Sequence, residues 1–488
     1  MTIRFKPPFP SRAARDRAAA ARRSTAADMR PRPRVLAVAE GANPEMVSVP
    51  LVGWSIATAL RDVADVHIVT QVRNREAFLR AGLVEGTDFT AIDSEAVARP
   101  LWRLSEALGV GPGSGKGWTA AQAISLVSAA WFERLVWDRF GDAVAAGDWD
   151  VVHRITPLSP TKPSSLAVRC ARVGTPFVLG PLNGGVPWPA AFDAERRRER
   201  EWLSYARGAY KLLPGRRATL RAAAAILVGS RHTQSEIPAA FRAKTVWIPE
   251  NGIDPERFNL EAAPGTGGAP GADEPGGRPL TACFVGRMVP YKGPDMALEA
   301  AAPLLADGRM RLEMIGDGPM LDGLRAQAER LGVADAVVFH GWLDHRDVQG
   351  VMARCDLMAL PSIREFGGGV VLEAMALGLP PVVVDYAGPG ELVEPDWGLK
   401  LPLGDRAALV ASFRDAFARL AADPAPLATM GALARARVET AFTWASKAQQ
   451  IAAVYDWVRR DGGDPPQPCR TGARARAGEL TSAEPAPI

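Results

Sequence analysis

Cysteine is scarce in this chain: four in 488 residues, Cys170, Cys283, Cys355 and Cys469, with no CxxC pair among them. Neither a disulfide framework nor a cysteine-based zinc site is indicated by that scatter, and a reducing compartment fits it best. Long apolar runs are lacking as well, since none approaches the roughly 20 residues that a membrane-spanning helix requires. Neither sign of charge dominates: 58 basic residues stand against 54 acidic ones, and no nucleic-acid recognition motif is present. No apolar h-region follows the Arg- and Ala-rich first 33 residues, which argues against a secretion signal.

What is present has ordinary globular composition, 47% hydrophobic and 23% charged, in a chain longer than one core usually supports. Two α/β domains are expected. The seam is EAAPGTGGAPGADEPGGR, at 261–278, a Gly/Pro linker with almost nothing to bury. Residues 34–260 then make a first domain, with strand-like runs RVLAVAE, VADVHIVTQ, WDVVHRI, TPFVLG, AAILVGS and TVWIPENGID. Residues 279–440 make a second, and AFTWASKAQQIAAVYDWV supplies a last helix at 441–460. The basic stretch 1–33 and the Pro-, Gly- and Ala-rich stretch 461–488 have no apolar periodicity and are expected to be disordered tails, with Met29 as an alternative start.

The densest chemistry lies in PSIREFGGGVVLEAMALGLPPVVV, where Glu365 and Glu373 are separated by seven residues that include Gly367, Gly368 and Gly369. The apolar DLMAL before it reads as a strand, the glycines let backbone approach a ligand, and VVLEAMALG starts a helix. A helix opening on glycines offers unpaired N–H groups to phosphate. Glu365 falls in the loop and Glu373 on the first helical turns, so the pair can hold different parts of one phosphorylated molecule. The plainer alternative is a glycine-capped amphipathic helix with two solvated glutamates.

Upstream, LTACFVGRMVPYKGPDMALEA reads as a buried strand ending in Gly286 and Arg287, then a loop with Lys292 and Gly293 before a helix. Two cations at a strand's C-terminal end can neutralise a diphosphate. RLEMIGDGPMLDGL, VVFHGWL and RDVQGVMARCDLMALP continue the strand–helix alternation. The order GR…KG, IGDGP, FHGW, DLMALPS, E-x7-E, G-x-P-x-V-V resembles the nucleotide-sugar-binding half of retaining glycosyltransferases of family 4. Their fold, GT-B, sets two Rossmann-like domains face to face across a central cleft.

That resemblance implies roles. Arg287 and Lys292 would grip the donor diphosphate and stabilise it as it leaves, Glu365 would lie near the transferred sugar, and Glu373 would hold the ribose. The N–H groups of Gly368, Gly369 and Val370, in the turn begun by Gly367, would complete the phosphate cradle, with Gly41 at the first strand's end beside it. One departure is visible: Phe366 follows Glu365 directly, where the family usually has one residue between, and an extra glycine restores the glutamate spacing. The donor is then a nucleoside-diphosphate sugar with no further cofactor, and no acidic DxD-like pair asks for a metal.

The acceptor side is less specific. His153, in VVHRITPLSP, matches the first position of the family's HxHxP-like pattern, whose second position is Ile155 here. A place at the reaction centre and a place in the core are both open to it. Asn183, Gly184 and Gly185 form a strand-end turn facing the same cleft, and Asn251-Gly252 resembles the family's interdomain NG-x-D motif. His67 reads as strand packing, while His232, His340 and His345 have no evident partner. Two other glycine motifs fail inspection. GVGPGSGKGW, at 109–118, has Gly117 where a Walker A needs Ser or Thr, and GDGPML has Leu321 where a dinucleotide fingerprint needs its third glycine.

In residues 191–221 arginines and lysines outnumber acids and interleave with Trp202, Leu203, Tyr205, Tyr210, Leu212 and Leu213. Such a stretch suits either an anionic membrane surface or a solvated helix face. The expected activity is glycosyl transfer to a sugar or lipid-linked acceptor hydroxyl with retention of configuration, in polysaccharide, cell-envelope or glycolipid synthesis. Its expected place is the cytoplasm, peripheral at the inner face of the membrane. No nucleophile is evident, so positioning and charge stabilisation would carry the reaction. Two alternatives are a nucleotide-sugar epimerase of the same architecture and a non-catalytic sugar-nucleotide-binding protein at a membrane surface. Retention of Arg287, Lys292, Glu365 and Glu373 together argues against the second.

Overall fold

The computed structural model describes residues 32–107, 118–193, 196, 215–255, 258, 278–460 and 463–468. The first sheet contains β1 (Arg34–Ala39), β2 (Asp65–Gln71), β3 (Phe89–Ile92), β4 (Val151–Thr156), β5 (Phe177–Leu182), β6 (Ala225–Val228) and β7 (Thr245–Trp247). Its order is β3-β2-β1-β4-β5-β6-β7 and its pairs are parallel. The second sheet contains β8 (Leu280–Val285), β9 (Met310–Ile315), β10 (Val337–Gly341), β11 (Leu357–Leu360), β12 (Pro381–Val384) and β13 (Leu399–Leu401). It is parallel too, in the order β10-β9-β8-β11-β12-β13. Strand order reverses between β1 and β4 and again between β8 and β11. At such points the loops leaving the carboxyl ends diverge and open a crevice.

The strands read as near-continuous apolar runs because both faces are covered. In β1, Leu36 and Val38 enter one core with Phe132 and Val136 of the helix Trp118–Ala146. Val35, Ala37 and Ala39 enter the other, which Val52 and Ile56 of the helix Val49–Ala59 share with Ile451, Val454 and Tyr455 of the last helix, Trp444–Arg459. That helix follows the second domain in sequence yet packs on the first. Thr443 caps its start, accepting from Ser446 N at 3.0 Å.

The two sets of strand-end loops touch. Tyr386, after β12, donates its hydroxyl to the Pro187 carbonyl after β5 at 2.9 Å. The Arg364 guanidinium, after β11, lies 5.3 Å from the ring centroid of Trp188. The expected two-domain α/β architecture around a central cleft is therefore the one observed.

Two strands escaped the sequence reading, β3 and β13; with four and three residues, they are too short to show a period. Within the stretch expected to be a disordered tail from 461, residues 463–468 carry no helix or strand, and Trp457 Nε1 donates to the Gly463 carbonyl at 3.0 Å. Residues 1–31, the linker through 277, residues 469–488, most of 191–221 and all of GVGPGSGKGW but its Trp118 lie outside the described residues. Among the described residues, no helix is long and apolar enough to cross a membrane.

Candidate active site

The second domain brings its charged groups together at the carboxyl ends of β8 and β11. Just beyond β8 and β9 stand Gly286 and Gly316, with φ of 152° and 131°. A Cβ on Gly316 would fall on the Gly286 carbonyl, so only glycine lets the two strand ends approach this closely. Arg287 follows, exposed, and among the described residues nothing pairs with its guanidinium. The chain then makes a tight turn, Pro290–Lys292, ahead of the helix Pro294–Ala306. The turn is tied to the β11 loop by Ile363 N, which donates to the Tyr291 carbonyl at 2.9 Å. This places the Lys292 ammonium against the Glu365 carboxylate in an ion pair whose side chains are only 16% and 19% exposed.

The triple glycine forms the start of the helix Gly369–Ala376. Gly368 is its N-cap at φ 57°, a left-handed conformation, with Leu392 where a side chain would go. The first bonds of the helix run from Val371 N at 3.0 Å and Leu372 N at 3.3 Å to the Gly368 carbonyl. The N–H groups of Gly369 and Val370 therefore have no acceptor within the helix, as at any helix N-terminus. One turn on, Glu373 Oε1 lies 3.5 Å from His345 Nε2, a partner that sequence spacing did not reveal. His340 likewise finds Glu313, at 2.6 Å.

In the first domain, Gly41 N donates to Thr156 Oγ1 at 3.0 Å across the β1/β4 reversal. A Cβ built there meets nothing within 4 Å, so the protein itself leaves this position open. Glu40 and Lys162 stand beside it. Burial raises the Glu40 carboxyl pKa, with the Lys162 charge pulling it back, and burial lowers Lys162 in turn. Gly184 N donates to Thr233 Oγ1 at 3.0 Å, and Gly185 N to Asn183 Oδ1 at 2.9 Å. Asn183 Nδ2 meets both carboxylate oxygens of Glu250, at 2.8 and 3.0 Å.

The catalytic expectation for His153 is corrected by its surroundings. The ring is fully buried, its Nδ1 lying 2.7 Å from the Tyr455 hydroxyl and its Nε2 2.7 Å from the Gly180 carbonyl. Both nitrogens are thus taken within the protein. Burial drives its pKa from 6.5 to about 4, so it stays neutral. His67 is a packing residue as expected, bonded to Thr90 Oγ1 at 2.8 Å and leaning on Phe140 and Trp149.

Residues that the sequence reading passed over complete the cleft. Glu250 immediately precedes the Asn251-Gly252 motif and is only 8% exposed. Asn251 fills the place where Gly367 would carry a side chain. Trp188, Tyr291 and Arg364 form a cation–aromatic cluster between the domains. Their neighbours Lys292 and Glu365 were conspicuous; these three were not, because nothing in the sequence says which loops meet. Taken together, the arrangement can receive an anion at Arg287, Lys292 and a helix N-terminus, with the Glu365 carboxylate against Lys292 and the Glu373 carboxylate against His345.

Comparison with known proteins bears on the domain and the fold. Residues 273–419 match the family described as Glycosyl transferases group 1, so the second half of the chain carries a glycosyltransferase domain. The chain is similar to the glycogen synthase of Mycobacterium tuberculosis, 33% identical over 227 residues that cover 46% of this chain and 51% of that protein. It spans about half the length of the first such relatives. The GDP-mannose-dependent alpha-(1-6)-phosphatidylinositol monomannoside mannosyltransferase of the same organism is 29% identical over 347 residues, 66% of this chain and 87% of that one. Among solved structures, HepE of Anabaena, in complex with UDP, aligns over 86% of this chain and 98% of its own at 18% identity and a TM-score of 0.54. A glycosyltransferase of Rickettsia africae aligns over 88% and 100% at 13% identity and a TM-score of 0.55. These likenesses establish the GT-B fold.

Proposed function

We propose that this chain is a retaining glycosyltransferase of family 4, moving a sugar from a nucleoside-diphosphate sugar to an acceptor hydroxyl. The observation that carries the reading is one constellation: unpaired Arg287, the Lys292–Glu365 pair and the glycine-opened helix Gly369–Ala376 on adjoining strand ends. The diphosphate lies on the N–H groups of Gly368, Gly369 and Val370, with Arg287 and Lys292 taking up the charge that grows as the sugar–phosphate bond breaks. Glu365 receives hydroxyls of the transferred sugar and Glu373 those of the ribose. The acceptor enters past Gly41 and the Asn183–Gly185 turn. Its oxygen bonds the anomeric carbon on the face the diphosphate leaves, and a departing phosphate oxygen takes its proton. His153 has no part in this. The chain needs no cofactor beyond the donor.

Retention and family 4 membership rest on the order of motifs. The mannosyltransferase relative, by its name, acts on a phosphatidylinositol monomannoside, which supports a lipid-linked acceptor here and a cell-envelope or glycolipid pathway; the proposed place of work is the cytoplasm, at the inner membrane face. The test is thermal shift against a panel of nucleotide sugars, followed by NMR of the anomeric configuration of the product. A donor at 100 times its dissociation constant adds about 2.7 kcal/mol of stability. No shift and no transfer with any donor would refute the reading, and an inverted product would refute retention.

A further inference from the structure

Glu250 is the acidic residue of the first domain that the second domain's glycine turn seats upon. It follows β7, and its carboxylate oxygens lie 2.8 and 3.0 Å from Asn183 Nδ2 on the acceptor-side turn. From the other side comes Gly367, where even a Cβ would stand 3.1 Å from Glu250 Oε1 and collide with the Asn251 amide. One side chain thus separates the acceptor-side turn from the donor-side turn.

We propose that Glu250 is a positioning residue that couples assembly of the cleft to a proton. Neutral, it lets Gly367 and Glu365 settle on the Asn183 turn; ionised, it pushes Glu365 and the glycine turn away. This rests on the reading of the cleft as a glycosyl-transfer site.

The charged groups facing it are few. Lys447 of the last helix lowers its pKa, and Glu365 of the second domain, itself bound to Lys292, raises it. Lys447 already donates its ammonium to the Pro249 carbonyl. Burial is the dominant cause and, against the Asn183 bond, lifts the carboxyl from 4.5 to about 7. A carboxylate has room for about four donors, and here the Asn183 amide is its hydrogen-bond donor. A diphosphate arriving on the same glycine turn adds negative charge and favours the neutral form further. Donor binding above neutral pH therefore draws a proton from solvent onto Glu250.

The experiment is calorimetry of the full chain with UDP, GDP or ADP, whichever binds, at pH 7.5 in buffers of different ionisation heat. It is paired with transfer rates from pH 6 to 8. Wild type takes up more protons than Glu250→Gln, and its kcat/KM falls about tenfold across that range, as for a group titrating near 7 in the free enzyme. Glu250→Gln flattens the fall, and Glu250→Asp, which still titrates, restores a slope. Equal proton uptake by wild type and Glu250→Gln, or the same slope in both, overturns the role of Glu250 alone. If no nucleoside diphosphate binds wild type, the glycosyl-transfer reading falls and this proposal with it.

Discussion

Glu391 of the second domain closes on Arg231 of the first: both its carboxylate oxygens accept from the Arg231 N–H, at 2.9 and 2.8 Å. Arg231 opens the short helix Arg231–Glu236, so a carboxylate from another domain caps a helix that Ser230 also caps. Burial raises the Glu391 carboxyl while the Arg231 and His232 N–H groups hold it down. Glu391→Ala is expected to cost the domain contact about 0.5–1.5 kcal/mol, the net worth of a hydrogen bond whose donor water can reach. Small-angle scattering checks it: the variant's radius of gyration should exceed that of wild type, and an unchanged radius would show that other contacts hold the clamp.

The cation pair gives the second prediction. Arg287→Ala and Lys292→Ala should lower turnover by roughly 10²–10³ each, the usual loss on removing one stabiliser of developing charge. Lys at position 287 should rescue only partly, because the guanidinium fork is lost. Steady-state kinetics on folded variants decide it. Near-wild-type transfer by both would take them out of the reaction.

How much of this was readable in advance follows from where the information lies. Arg287, Lys292, Glu365, Glu373 and the glycine turn sit within two short stretches, and strand-end loops of neighbouring parallel strands meet by geometry alone. Glu250, Trp188 and Arg364 matter through partners in the other domain, which no local period encodes. His153 misled because a histidine after an apolar strand looks the same in sequence whether its ring turns to the cleft or to Tyr455. That hydroxyl is more than three hundred residues away, on a helix whose return to the first sheet settles the matter.

The third prediction separates the carboxylates. Glu373→Gln should weaken binding of the bare nucleoside diphosphate, whereas Glu365→Gln should spare it and damage transfer, following their ribose and sugar assignments. Because Lys292 pairs with Glu365, the second variant also frees that ammonium for the diphosphate. Calorimetry reads the difference. Equal losses would mean that the roles are misassigned.

The fourth concerns the C-terminal segment. Gly463 and Gln467 stand with Arg231, Arg242 and Trp247 around one pocket beside β7, and Trp457 is bonded to Gly463. A chain ending at 460 should therefore melt lower than one ending at 468. Loss of the Trp457 hydrogen bond alone accounts for about 1 kcal/mol. Identical melting temperatures would show that this contact contributes nothing.

The last prediction sets two buried groups against each other. His153 titrates near 6.5 when exposed and near 4 in the fold, so its contribution to stability is present above 6.5 and lost as pH falls toward 4. Glu250 is the reverse: its carboxyl is raised from 4.5 to about 7, so its contribution is present below 4.5 and lost as pH rises through 7. Each shift corresponds to about 3 kcal/mol as an order of magnitude. Between pH 4.5 and 6.5 the two slopes oppose and largely cancel. Relative to wild type, Glu250→Gln should gain stability as pH rises over this span, and His153→Gln should gain it as pH falls, on top of a constant loss from its broken bonds to Tyr455 and Gly180. Urea denaturation at pH 5, 6 and 7 measures both tilts. If the two variants tilt the same way, one of these groups is not held neutral by burial, and the sign of the tilt says which.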